Sequence, residues 1–135
     1  MLNGINLLAV VVSALVSLGL SFVWFTILFR EAYIAGLGRT QAQLDAGPSA
    51  IVASAFQLLG FLVLATGLVL LMQRTGMTSI GGGVSLALLC WGSFFAAIVG
   101  PMYAYQAFPA NLFGIVAGGY LITFLASGVI LGMWK

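Results

Sequence analysis

The chain has 135 residues, 63% of them hydrophobic and 4% charged, with a net charge of +2. A soluble domain carries about a quarter charged residues. This composition cannot cover a water-facing surface, so lipid must be the solvent for most of the chain. The four bases, Arg30, Arg39, Arg74 and Lys135, are scattered and form no basic patch of the kind nucleic acid requires, so no nucleic-acid partner is expected.

The first apolar run predicts a transmembrane helix over residues 5–29, with Asn3 able to cap its start. No Lys or Arg precedes it, and it is longer than a signal-peptide core, so a retained span is expected. Ser13, Ser17 and Ser21 recur every four residues and share one helix face. In lipid, such a row lets a neighbouring helix approach closely, and its hydroxyls can bond across. The competing expectation is that each hydroxyl bonds back to its own helix. Trp24 and Phe25 suit the membrane interface near the exit.

Residues 30–48 form the longest polar segment and hold both acids, Glu31 and Asp45. Thr40 and Gln43 have capping-box spacing and predict a short helix near residues 41–46. Tyr33, Ile34, Leu37 and Leu44 could rest this segment on the membrane surface. Gly47-Pro48 breaks it.

A second span is predicted over residues 49–72. Ala53, Gln57, Gly60, Leu64 and Gly67 are spaced four, three, four, three, which is a helix-packing stripe. Gln57 is the most polar residue deep in a span, and an unbonded amide in hydrocarbon is costly, so it should face another helix. Gly81-Gly82-Gly83 suggests either flexibility or close backbone approach. It is not a phosphate-binding loop, because no Lys-Ser/Thr follows.

The third span is predicted over residues 80–100, with Gly92, Ala96 and Gly100 forming a smooth face. Pro101 should end or kink this helix. Tyr103, Tyr105 and Phe108 then suit an interfacial segment. Cys90 is the single cysteine, so no intrachain disulfide can form. It reads as a small hydrophobe, and no metal site is expected around it.

The fourth span is predicted over residues 111–134, with Pro109 before it and Asn111 as its cap. Gly114 with Gly118, and Gly128 with Gly132, are small-xxx-small pairs. Tyr120, Thr123 and Ser127 add a polar stripe. The expected fold is therefore all-α: an integral membrane bundle of four transmembrane helices, forming one domain over residues 1–135. Four spans put both termini on one side. Positive-inside logic leans toward the cytoplasm by one charge.

Several segments resemble the DUF1761 family of small bacterial four-helix membrane proteins. They are Asn6-Leu7-Leu8-Ala9, Trp24-Phe25 with Leu28-Phe29, and Tyr33 through Gly36-Leu37-Gly38. At the far end they are Gly119-Tyr120-Leu121-Ile122 and Gly128-Val129-Ile130-Leu131-Gly132-Met133-Trp134. The family often has Gly-Lys where this chain has Arg30-Glu31. The resemblance implies the four-span topology and a bacterial inner membrane. It brings no established activity, cofactor or catalytic residue.

Histidine is absent, which removes imidazole bases and His-ligated haem. No acid lies within a predicted span, which disfavours a proton-coupled transporter. Two functional expectations follow. One is a non-catalytic helix-packing protein, acting as a homo-oligomer or as a subunit of a larger membrane complex. Its packing residues would be Ser13, Ser17, Ser21, Ala53, Gln57, Gly60, Gly67, Gly92, Ala96, Gly100, Gly114, Gly118, Gly128 and Gly132. The other is a small permease or channel for an uncharged or lipid-like solute, with Gln57 and Tyr120 on a polar path. No cofactor and no catalytic residue is expected in either.

Overall fold

The structure is a computed structural model and describes residues 4–134. Four helices in it are long and apolar enough to cross a membrane: α1 (Leu7–Leu28), α4 (Ala50–Thr75), α5 (Ile80–Tyr105) and α6 (Ala110–Met133). Two short helices, α2 (Arg30–Leu37) and α3 (Gln41–Asp45), fill the polar segment. No strand occurs among the described residues.

Polar residues fix the helix starts, because the first backbone N–H groups of a helix lack internal partners. Asn6 accepts from the Ala9 amide at 3.1 Å, Ser49 from Val52 at 3.3 Å and Ser79 from Gly82 at 3.0 Å. Asn3 lies outside the described residues. At α3 the expected capping box is present, with Thr40 and Gln43 bonding each other's backbone amides. Asn111 is not a cap. Pro109 occupies that position, because its extended backbone already offers the carbonyl that starts α6. Gly38 and Gly76 close α2 and α4 in the left-handed conformation, with φ 65° and 74°.

The third span does not stop at residue 100. It runs through Pro101 to Tyr105. Proline has no N–H to return to the carbonyl four residues back, here Ala97. The turn just before it, Trp91–Ala96, is a π-helix, so the usual ladder is already loosened where the proline enters. The predicted interfacial segment is thus helical for its first four residues. Beyond them Tyr103 closes onto Phe108, with ring centroids 5.2 Å apart.

Contacts fix the arrangement. Ser13 and Trp24 of α1 meet Ser127 and Ile115 of α6, so these two helices run antiparallel. Gly83 and Trp91 of α5 meet Gly128 and Ala117, so α5 is antiparallel to α6 as well. Helices α1 and α5 are therefore parallel to each other and flank α6, while α4 packs mainly on α1 and more lightly on α5. The half near the chain ends has an aliphatic core that includes Ala9, Ala65, Leu68, Met72, Leu86 and Leu131. The half near α2 is aromatic, built on Phe25, Phe61, Phe95 and Tyr120.

The α5–α6 contact is backbone against backbone. A methyl group on Gly128 would sit 2.5 Å from the Gly83 carbonyl oxygen, and one on Gly132 would sit 2.6 Å from the Ile80 Cα. Gly83 in turn would run into the Gly128 carbonyl oxygen. The glycine run at the start of α5 therefore serves close approach. Gly92, by contrast, has nothing within 4 Å of an added methyl. Overpacking of this kind costs about 1–3 kcal/mol, so Gly128→Val should destabilise the bundle by about 3 kcal/mol in a mixed-micelle denaturation titration. Gly92→Ala should be neutral, or stabilising by up to about 1 kcal/mol through helix propensity.

Candidate functional site

The polar groups inside the spans fall into two sets, those that bond protein and those that do not. In the first set, Ser13 donates to Ser127 Oγ at 2.9 Å, and Ser17 lies 3.3 Å from the same oxygen. All three side chains are buried. Ser21 behaves differently and bonds back to the Leu18 carbonyl at 2.9 Å. The serine row is thus split between the two sequence-based expectations. Thr66, Thr75 and Thr123 also bond back to their own helices.

Each parallel span carries one π-helical turn, Val23–Leu28 in α1 and Trp91–Ala96 in α5. A tryptophan sits in each. Trp24 Nε1 donates to the Ile115 carbonyl at 2.8 Å, and Trp91 Nε1 donates to the Ala117 carbonyl at 3.0 Å. The two indoles hold α6 through carbonyls two residues apart in the chain. Gly118 and Gly119 make room for the first of them: added methyls would lie 3.1 Å and 2.7 Å from the Trp24 ring. π-turns often occur at functional sites.

One turn further along α6, Tyr120 donates to Gln57 Oε1 at 2.8 Å. This interhelical bond is the partner expected for Gln57. The Tyr120 ring lies 5.2 Å from Phe95 and 5.9 Å from Phe25. Phe25 meets Tyr33 of α2 edge-on at 5.1 Å, and Gly36 of α2 rests on Leu112. Burial pushes the Tyr33 phenol above its ordinary value near 10, with the Arg39 charge acting against it.

Part of the second set lies in a groove of about 560 Å³ on the outside of the bundle between α1 and α4. Thr26, Ser54 and Gln57 line it together with Phe22 and Phe25. Thr26 and Ser54 are exposed, and among the described residues neither their hydroxyls nor Gln57 Nε2 bonds protein. Ser85 and Ser93 of α5 are also unbonded but do not line the groove.

The other expected packing residues divide in the same way. Gly118, Gly128 and Gly132 are used inside the bundle, and Gly100 lies against the Phe113 ring. Ala96 is half-buried. Ala53, Gly60 and Gly67 are exposed, because α4 turns a different stripe inward, carrying Phe61, Ala65, Leu68 and Met72. Gly92 and Gly114 likewise meet nothing within the chain. Sequence reasoning missed Thr26 and Ser54, and it did not anticipate the bond from Trp24 to the Ile115 carbonyl.

The family profile described as "Protein of unknown function (DUF1761)" matches residues 8–132. The chain belongs to the DUF1761 family. No curated protein and no solved structure matches it. Membership in DUF1761 thus brings no activity, and the site must be read from its own chemistry.

Two outcomes are expected. Tyr120→Phe removes one interhelical bond, worth about 0.6 kcal/mol on average and at most about 1.7 in a membrane. A denaturation titration should show a loss in that range. Because Tyr33 stays protonated to higher pH in the folded chain, its contribution is complete below pH about 10 and is lost as pH rises beyond it. Thermal stability should fall in that window, and the part due to Tyr33 should vanish in Tyr33→Phe.

Proposed function

We propose that the protein is a non-catalytic component of a membrane assembly, either a homo-oligomer or a subunit of a larger complex, with α4 as the helix that meets its partner. The observation that carries this reading is the stripe of Ala53, Gly60 and Gly67, which faces away from the bundle with open space over Gly67. In lipid, a small-residue face lets a second helix come close, and van der Waals packing then holds it. A non-catalytic role is supported by charge: Arg74, in the last turn of α4, is the sole charged residue within the four spans. The same proposal puts the protein in the bacterial inner membrane.

A second reading is a binding or permeation protein for an uncharged or lipid-like solute. The groove favours it, with Gln57 in its lining and the Gln57 Nε2 unbonded.

The assembly reading is tested in lipid nanodiscs by single-molecule mass measurement. The wild type should run above the monomer. Gly60→Leu and Gly67→Leu, whose side chains would point away from the bundle, should shift the population to monomer by about tenfold without lowering thermal stability. A wild type that is monomeric and recovers no partner on cross-linking in its native membrane would remove this reading.

A further inference from the structure

Helix α4 carries a heptad seam on its outward side. Ala53, Gly60 and Gly67 recur every seven residues, and Phe56, Val63 and Leu70 follow them at intervals of three. This is the 3.5-residue repeat of a left-handed coiled coil, in which a side chain of one helix enters a hole between four residues of the next. Phe56 is 71% and Val63 65% exposed, the three small residues are exposed too, and Leu70 is half-buried. One hole is already formed. Val63, Thr66, Gly67 and Leu70, together with Leu62, line a hollow on α4 alone. An added methyl on Gly67 would touch nothing there. The Thr66 hydroxyl bonds the Leu62 carbonyl at 2.8 Å, so the hollow asks for no polar partner.

We propose that this seam is closed by α4 of a second copy running antiparallel, so that the two copies span the membrane in opposite orientations. The proposal rests on the assembly reading above and names its partner. Three observations select it. The first is size. In one antiparallel register Ala53 lies opposite Leu70 of the second copy, Phe56 opposite Gly67 and Gly60 opposite Val63. All three pairs share a single midpoint between Gly60 and Val63, so every small residue meets a large one. The exposed Phe56 of each copy then enters the hollow over Gly67 of the other, which is the same-patch contact of a closed two-fold dimer. Parallel copies would set Gly67 on Gly67, leaving the hollow empty, and Phe56 on Phe56. The second is charge. In the antiparallel register Arg74 comes level with Ser49 of the second copy, at the end of α4 that follows Asp45. Parallel copies would bring the two Arg74 side chains together, and like charges at a contact are costly. The third is orientation, which the Lys and Arg bias between the two sides sets. Four spans leave Arg30 and Arg39 on one side, and Arg74, with Lys135 next after the last span, on the other. The basic side chains are evenly split and choose neither orientation.

The test is disulfide cross-linking of the full chain in native membranes, with Cys90→Ala as the background. Copies carrying Ala53→Cys and differently tagged copies carrying Leu70→Cys are co-expressed and oxidised. The antiparallel pair brings these two positions together and holds each about 25 Å from its own symmetry mate, at about 1.5 Å per residue. A mixed dimer should form, and neither variant alone should cross-link. Gly67→Phe in both variants fills the hollow and should cut the mixed product about tenfold. Adding Phe56→Ala exchanges large for small and should restore most of it. Both changes face away from the bundle, so unchanged thermal stability shows that each variant is folded. Ala42→Cys, on exposed α3, reports orientation: an impermeant maleimide should label about half of it in intact cells and the rest after lysis. Cross-linking of each variant with itself, no rescue in the folded double variant, or Ala42→Cys labelled wholly or not at all overturns the antiparallel pair and leaves the assembly reading standing. A chain that gives no cross-link, runs as a monomer and recovers no partner removes both.

Discussion

Helix α6 is the wall on which the other elements lean, and the reason is the solvent. In hydrocarbon, a backbone carbonyl or a serine hydroxyl has no water to turn to, so proximity to another helix is where polar groups find partners. Helix α6 offers that proximity on two sides. Ser127 takes the hydroxyls of α1, and the carbonyls of Ile115 and Ala117 take one indole from each parallel span. Gly128 and Gly132 bring the backbone of α5 close enough that no side chain fits between.

This arrangement explains why the bundle is asymmetric. Helix α4 has no such grip on α6. Its polar link to that helix is Gln57 with Tyr120, and its inward face is bulky, with Phe61 and Met72 where α5 has glycine. It stands further off, and the groove and the unused small-residue stripe both result. The helix that the inside grips least thus carries the outward small-residue stripe and one wall of the groove.

Much of the fold was legible because its signals are local. Apolar run length located the four spans, and the Thr40–Gln43 pair fixed a helix start by chemistry that acts within one turn. Spacing also identified Ser13, Ser17, Gly128 and Gly132 as contact residues. On α4, Ala53, Gly60 and Gly67 have the right period but face away from the bundle, because a small-residue stripe records the possibility of close approach and not its direction. Nothing in the letters marks the two π-turns, each of which holds a tryptophan, Trp24 or Trp91, that reaches across to α6. The groove was hidden for a related reason: whether Thr26 or Ser54 bonds its own helix depends on what stands opposite.

Those two turns leave each parallel span with one residue more than its helical repeat calls for. Each residue rotates a helix by about 100°, so everything past the surplus, including Arg30 after α1 and Pro101 in α5, is dialled round by that angle. Losing a single residue within 23–28 or 91–96 would close the wide turn into an ordinary α-helical one and leave the far end facing as it does, whereas an α-helix that kept every residue would point its far end elsewhere. Register, more than composition, is what these two stretches encode.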